Sequence, residues 1–349
     1  MDNEGLSKYL TDGAKRLITS VVKDPFLLAK YTRMQLRNAA VRKDFSKKGV
    51  HVPLFLIASI TRSCNLHCKG CYARANHLCS DRPAADELTV SEWDRIFSEA
   101  EGLGVSFILL AGGEPLLRRD ILDAAAKHEN LLFAVFTNGT VFDDEVFALF
   151  EKNRNLFPVV SFEGKNTDVR RGAGTFERVG VFTDELVRRG ILFGQSITVD
   201  ADSYAELLNT DFLKSLRASV ILFIEYTALD ADSRARELTP AMQKELAGLV
   251  SDAKRAVCDK WFISFPGDEE FMGGCLAAGR GFFHISPCGS AEPCPFSPYS
   301  DRNLKSCSLL DAVSSPLFCR LQECGLVGGE HSGGCVLVQR EDEVRRCLL

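Results

Sequence analysis

Apolar and polar positions along the chain follow two alternating periods. From residue 54 onward, short apolar runs rich in β-branched residues at 54–61, 105–110, 132–137, 158–162, 192–199 and 220–226 read as strands. Between them, segments 90–103, 120–128, 143–152, 176–189, 203–216 and 240–258 place apolar residues at three- and four-residue steps, the period of a helix. Strand alternating with helix predicts βαβ units and a parallel sheet. Near-continuous apolar strands fit a sheet covered on its outer face. Six such units predict an α/β fold, a partial (β/α)6 barrel over residues 51–262. Thr89 or Ser91, with Glu92 or Asp94 behind it, is the expected cap of the first barrel helix, and Gly102 and Gly104 are its expected stop.

The pattern differs on both sides of this barrel. Residues 1–50 repeat Leu10, Ala14, Leu17, Val21 and then Phe26, Leu27, Tyr31 and Met34 at helical steps, with Pro25 expected to divide two helices. This arm carries 11 Lys and Arg against 5 Asp and Glu. Two readings stand for it: a helix docked on the base of the core, or a basic amphipathic segment giving peripheral membrane contact through residues 1–48. After residue 262 the helical period fades and Gly, Pro and Cys crowd the chain. Residues 263–349 read as a small, loop-rich domain held by metal.

Composition narrows the function classes. A net charge of −5 over 349 residues argues against a nucleic-acid partner. Thirteen cysteines, an odd number, do not make a disulfide framework. The chain opens without an apolar secretory segment, and no apolar stretch reaches membrane length. A thiol-rich chain of this kind is expected in a reducing cytoplasm, where clustered cysteines are metal ligands or redox groups. Cys79, Cys258 and Cys307 stand apart from the clusters and are expected to pack as small hydrophobes.

The first cluster follows the first strand: Cys64-x3-Cys68-x2-Cys71-Tyr72. A structural zinc site asks for four ligands, usually in two pairs. An iron–sulfur cube takes four thiolates, and three leave one iron open. This motif, placed after the first strand of a partial barrel, resembles that of the radical S-adenosylmethionine (radical SAM) superfamily. The resemblance implies that Cys64, Cys68 and Cys71 hold a [4Fe–4S] cluster. It further implies that SAM chelates the fourth iron through its amino and carboxylate groups. One electron then cleaves SAM to a 5′-deoxyadenosyl radical, which takes a hydrogen from substrate. Tyr72 is then expected near the adenine, or else as a core aromatic at the loop exit.

Further strand ends carry the same resemblance. Ala111-Gly112-Gly113-Glu114-Pro115 is similar to the motif whose backbone meets the SAM amino group, which implicates Gly112, Gly113 and Glu114. Missing Cβ atoms let a backbone approach a ligand closely, and helix capping is the other role open to Glu114. Asn138, in Thr137-Asn138-Gly139, and Ser161, in Ser161-Phe162-Glu163-Gly164, are the next SAM contacts implied. Glu163 is expected to point the other way by strand alternation, unless the strand has ended. The stretch from Thr167 to Phe176 is similar to one in the SPASM/twitch branch, and there Arg171 matches an arginine that pairs with the SAM carboxylate. An ion pair with Asp168 is its alternative. Gln195 or Thr198 is expected at the ribose, and Glu225, ending the sixth strand, is the catalytic candidate facing substrate.

Eight of the thirteen cysteines lie beyond residue 274. Gly274-Cys275, Pro287-Cys288-Gly289, Cys294-Pro295-Phe296 and Ser332-Gly333-Gly334-Cys335 resemble the hairpin and tail of SPASM and twitch domains. Cys275, Cys294 and Cys335 match ligands of an auxiliary [4Fe–4S] cluster. Cys288 is either its fourth ligand or a turn residue. Cys319, Cys324 and Cys347 are candidates for the remnant of a second cluster, with zinc as the competing metal for this domain. Relatives that oxidise a Cys or Ser side chain of a protein have an acidic base where Pro295 stands, and proline takes no proton. The arm also lacks the strands of the peptide-recognition domain found in many peptide-modifying relatives.

The expected function is therefore that of a radical SAM enzyme acting on a peptide or protein side chain. An external flavodoxin- or ferredoxin-like donor would supply its electron. The alternative substrate is a small molecule, a cofactor precursor or lipid. A reading of another class, an iron–sulfur electron carrier or zinc-binding protein without catalysis, does not account for Gly112, Gly113, Glu114 and Arg171.

Overall fold

The computed structural model describes residue 13 and residues 25–207, 209–257, 259–328 and 335–348. Cys258, residues 332–334 and the arm positions Leu10, Ala14, Leu17 and Val21 lie outside the described residues.

Seven parallel strands form the barrel wall: β1 (Phe55–Ser59), β2 (Phe107–Ala111), β3 (Leu132–Thr137), β4 (Leu156–Ser161), β5 (Gly194–Val199), β6 (Val220–Glu225) and β7 (Trp261–Phe265). Each pairs with the next in chain order. The first six are those that periodicity marks. β7 is a further strand: it runs from Val220↔Trp261 to Ile224↔Phe265 against β6, so the parallel sheet continues past residue 262. Its five residues follow a long helix and precede a glycine-rich segment, too short a run to announce itself.

Alternation along the strands separates two faces. Phe133, Val135, Val160, Ile197, Ile221 and Phe223 belong to the main core, together with Trp93, Phe97 and Phe182 of the covering helices. Val159, Val220, Leu222 and Ile263 form a separate, smaller cluster on the inner face. A parallel sheet covered on its outer face thus leaves its concave face lightly filled, with room for a site at the carboxyl ends of the strands.

The covering helices begin and end where their chemistry requires. Thr89 caps Val90–Leu103 in a reciprocal capping box with Glu92, and Gly104 ends it at φ 80°, a left-handed turn that glycine adopts without strain. The expected helix over 203–216 is instead two short pieces, Tyr204–Leu207 and Thr210–Ser215. The arm helix runs Pro25–Lys47, so proline opens it at the position where its missing N–H costs nothing. It docks on the barrel by buried Tyr31, Met34, Gln35, Asn38 and Arg42. The Asn38 amide donates to the carbonyls of Val105 (3.1 Å) and Asn130 (3.0 Å), and Arg42 donates to Gly104 O and Ser106 Oγ.

The cysteine-rich segment joins the same sheet. β8 (His284–Ile285) lies parallel to β1 and antiparallel to β9 (Ser290–Glu292), which pairs with β10 (Arg302–Asn303). A buried chain crosses this junction: Ser59 Oγ meets His284 Nε2 at 2.8 Å, and His284 Nδ1 meets Glu292 Oε2 at 2.7 Å. His284 has no exposed surface, so this chain is a staple closed to any substrate.

Asn38→Ala would remove the donor from the buried carbonyl of Val105 and the half-buried carbonyl of Asn130. Its expected effect is a loss of about 1–3 kcal/mol in urea unfolding, with an unchanged m-value.

Candidate active site

β1 delivers the chain into a loop holding Cys64, Cys68 and Cys71, and the short helix Tyr72–Ala75 follows. The end of β2 presses against this loop from below. Gly113 N donates to Thr61 O (2.8 Å) and Glu114 N to Ser63 O (2.7 Å). A Cβ at Gly112 would fall 2.4 Å from Thr61 O, and one at Gly113 2.1 Å from Ser63 O. Only glycine permits this approach, which is why both glycines stand there.

Glu114 is buried, and its carboxylate is fully engaged. Leu116 N (3.0 Å) and Thr137 Oγ1 (2.8 Å) donate to Oε1, and Asn138 N (2.7 Å) donates to Oε2. Burial pushes its pKa up to about 7, against three donated hydrogen bonds that favour the charge. The capping role is realised, and the same group ties the end of β2 to the end of β3. Asn138 extends the tie to the cysteine loop. Its Nδ2 donates to Asn65 Oδ1 (2.9 Å) and approaches Cys64 Sγ at 4.0 Å, while Asn65 donates to Thr140 Oγ1 (2.8 Å). Asn65, Thr140 and Glu87, which accepts from Arg62 N at 2.7 Å, had no signal in the sequence. Their spacing belongs to no periodic pattern, and only the folded loop makes them neighbours.

Arg171 reaches the site in an unexpected partnership. The expected opposite orientation of Glu163 is corrected: it lies two residues beyond Ser161, where strand alternation returns a side chain to the same side, and it turns inward with 1% of its surface exposed. Arg171 grips it with a two-point fork, Nε to Oε2 at 2.7 Å and Nη2 to Oε1, and places Nη1 3.9 Å from Cys68 Sγ. The expected ion pair with Asp168 is replaced by this one. Asp168 instead accepts from Gly174 N (3.1 Å) and Phe176 N (2.6 Å). The neighbouring Arg170 has Nε and Nη1 buried with no hydrogen-bond partner, and its charge is felt at both Cys68 and Cys71.

Two expectations are corrected by register. Gln195 sits opposite Val160 and Ile221, on the outward face, where its Oε1 accepts from Ala218 N at 3.4 Å. Glu225, the catalytic candidate, sits opposite Val199 and accepts from Gln243 Nε2 (2.9 Å) of the helix Pro240–Ala256. Both lie on the side of the strand away from the barrel interior, because residues two apart share a face. Ser161 and Thr198 keep the inner face, joined there by Ser196. Tyr72 packs against Phe296 with tilted rings 5.1 Å apart, and Asn76 donates to Pro295 O (3.0 Å), so the loop exit rests on the cysteine-rich hairpin.

The cysteines themselves regroup. Cys79, expected to be a packed bystander, lies beside both Cys64 and Cys71. Its thiol is the main cause pulling Cys64 down and Cys71 to about 6, toward the thiolate that binds metal. Burial pushes Cys68 up, opposed by Arg171. In the C-terminal segment Cys294 is hydrogen-bonded to Cys335, and Cys275 is close enough to be coupled to both by charge. Cys288 is not brought to them. Its thiol lies between Arg62 and Asp86, and burial and Asp86 push it up to about 11. Cys324 pairs with Cys347, Cys319 is exposed, and Cys307 packs on the core as expected.

Three thiols on one loop, a glycine-lined floor and an arginine with buried, unengaged donors fit a thiolate-ligated cluster with an anionic ligand beside it. Among the described residues no three His, Cys, Asp or Glu side chains meet closely enough for one metal ion. A cubane holds its thiolates on separate irons and does not ask them to meet at a point.

Residues 58–199 match the model of the Radical SAM superfamily. The chain is 27% identical over 321 residues to mycofactocin maturase MftC of Mycobacterium ulcerans, covering 82% of this chain and 84% of that one. It is 25% identical to the AdoMet-dependent heme synthase of Methanosarcina barkeri, covering 73% of this chain and 80% of that one. Its fold resembles Streptococcus suis SuiB bound to precursor peptide SuiA, with a TM-score of 0.68 at 17% identity over 90% of this chain and 78% of that one.

The raised pKa of Glu114 sets a pH dependence. The folded protein holds this proton up to about 7, whereas the unfolded chain releases it near the ordinary 4.5. Protonation therefore supports the fold most below 4.5, and that support is lost as pH rises to about 7. Glu114→Gln, which never ionises, is expected to lose this slope in urea midpoints measured across the interval.

Proposed function

The chain belongs to the radical SAM superfamily, and on that premise we propose that it cleaves SAM at the Cys64, Cys68 and Cys71 loop to abstract hydrogen from a peptide or protein side chain. The observation that carries the reading is the placement of these three thiols on one loop at the carboxyl end of β1, over the glycine floor of β2. A [4Fe–4S] cluster bound there supplies the electron that cleaves SAM. The remaining roles belong to the chain. Gly112 and Gly113 bring backbone to the ligand, and Asn138 and Ser161 face it, while Glu114 holds the floor and the Asn138 turn together. Arg171 is spent on Glu163, so the SAM carboxylate falls to Arg170, whose Nη1 is buried without a hydrogen bond and whose Nε stands 3.6 Å from Glu163. Thr198 and Ser196 line the inner wall toward the ribose and substrate.

Cys275, Cys294 and Cys335 are the proposed ligands of one auxiliary [4Fe–4S] cluster. An external one-electron donor of flavodoxin or ferredoxin type completes the system. The membrane reading of residues 1–48 has less support, because the described part of the arm spends Tyr31 and Met34 on the barrel. The peptide reading is supported by the likeness to a maturase over most of the chain. A small-molecule substrate is the second reading, favoured by the likeness to a heme synthase.

Anaerobic reconstitution with SAM and dithionite tests the proposal. Wild type is expected to form 5′-deoxyadenosine, and Cys68→Ala to form none. Joint replacement of Cys275, Cys294 and Cys335 by Ala is expected to remove about half the iron and sulfide while SAM cleavage persists. Cell-extract fractions then separate the substrate classes. Stimulation of SAM cleavage that protease abolishes supports a peptide; stimulation that survives protease supports the small molecule.

A further inference from the structure

The chain bends back sharply after the helix Tyr72–Ala75. His77 takes a left-handed conformation (φ 57°), which a residue with a Cβ rarely adopts. The bend returns the backbone to the cysteine loop and fastens it there. Leu78 N donates to Ala73 O (2.7 Å), Ser80 N to Arg62 O (2.7 Å), and Cys64 N to Ser80 O (2.9 Å). Cys79 is thus held on both sides, and the backbone bonds on either flank set it beside Cys64 and Cys71. A cysteine packed as a small hydrophobe would belong to an apolar cluster, as Cys307 does. Cys79 belongs to none of those formed by the described residues.

We infer that Cys79 is an exchangeable fourth thiolate of the cluster: it ligates the iron that Cys64, Cys68 and Cys71 leave open, and SAM displaces it. The inference rests on the assignment of those three cysteines as cluster ligands. Four thiolates saturate a [4Fe–4S] cube, so the resting protein would not expose a labile iron to solvent. On exchange the bond between that iron and Cys79 breaks, and the SAM amino nitrogen and carboxylate oxygen bond the same iron. The proton released by the SAM ammonium goes to the departing thiolate. No electron moves. Cys79 is a positioning and protecting residue in this scheme and takes no part in hydrogen abstraction.

The test uses full-length wild type, Cys79→Ala and Cys79→Ser, reconstituted anaerobically without SAM. One equivalent of ferricyanide strips an unprotected open iron and leaves a [3Fe–4S] cluster visible by electron paramagnetic resonance. The auxiliary cluster, which also has three cysteines, gives the same background signal in all three proteins. Wild type is expected to give that background alone, and both variants about twice as much. SAM affinity, read by equilibrium dialysis, is expected to tighten in Cys79→Ala, roughly tenfold if about a tenth of the wild-type iron is open at rest. Equal yields and equal affinities in wild type and variants would overturn the inference. So would loss of the cluster from both variants with unchanged circular dichroism, which would make Cys79 a permanent ligand that SAM does not displace. A SAM-responsive cluster surviving the joint loss of Cys64, Cys68 and Cys71 would overturn the underlying assignment as well, and so separates the two failures.

Discussion

One buried carboxylate holds the catalytic end of the barrel in shape. Glu114 accepts three hydrogen bonds, from the turn it caps and from the end of β3. Through Asn138 it reaches Asn65 in the cysteine loop. Three thiols that are to hold a cluster must stay open without the metal and must not collapse on one another. The geometry here does this with the backbone: loop carbonyls at Thr61 and Ser63 are bound to the end of β2, and glycine lets the two chains touch. A carboxylate with three donors in a dry site is costly to disturb, because any donor left without it stays buried.

The two cysteine regions are parts of one sheet. β8 pairs with β1, the strand that carries the first loop, and the chain from Ser59 through His284 to Glu292 locks the junction from inside. On the other side of the loop Tyr72 rests on Phe296, two residues beyond Cys294. Backbone pairing and aromatic contact therefore both fix the separation of the two candidate clusters. An auxiliary cluster that passes electrons or binds substrate needs such a constraint.

Like charges are also managed in pairs. Arg170 and Arg171 are adjacent in sequence and both close to Cys68. Glu163 neutralises Arg171 at hydrogen-bond distance and stands 3.6 Å from Arg170. The fork consumes one arginine and leaves the other with buried donors unspent, an arrangement that favours an arriving anion. This division of labour between neighbours is invisible in the motif that contains them.

The sequence alone determined the strand and helix alternation, the barrel class, and the place of Cys64, Cys68, Cys71, Gly112 and Gly113 just after the first two strands. Each is written in local period or fixed spacing, and hydrophobic period and ligand spacing are properties of neighbouring residues. The tertiary structure decided what depends on register and on loop return. It turned Gln195 and Glu225 to the helices, since a strand's face is set by pairing that no single strand declares. It gave Arg171 to Glu163, because the helix that follows β4 folds Arg171 back onto the strand end, a return that the spacing of the motif does not show. It separated Cys288 from the other C-terminal cysteines and brought Cys79 to the first cluster. Those last placements follow from backbone bonds across the fold, Ser80 to Arg62 and Leu88 to Pro287, which carry no mark in the spacing of the cysteines.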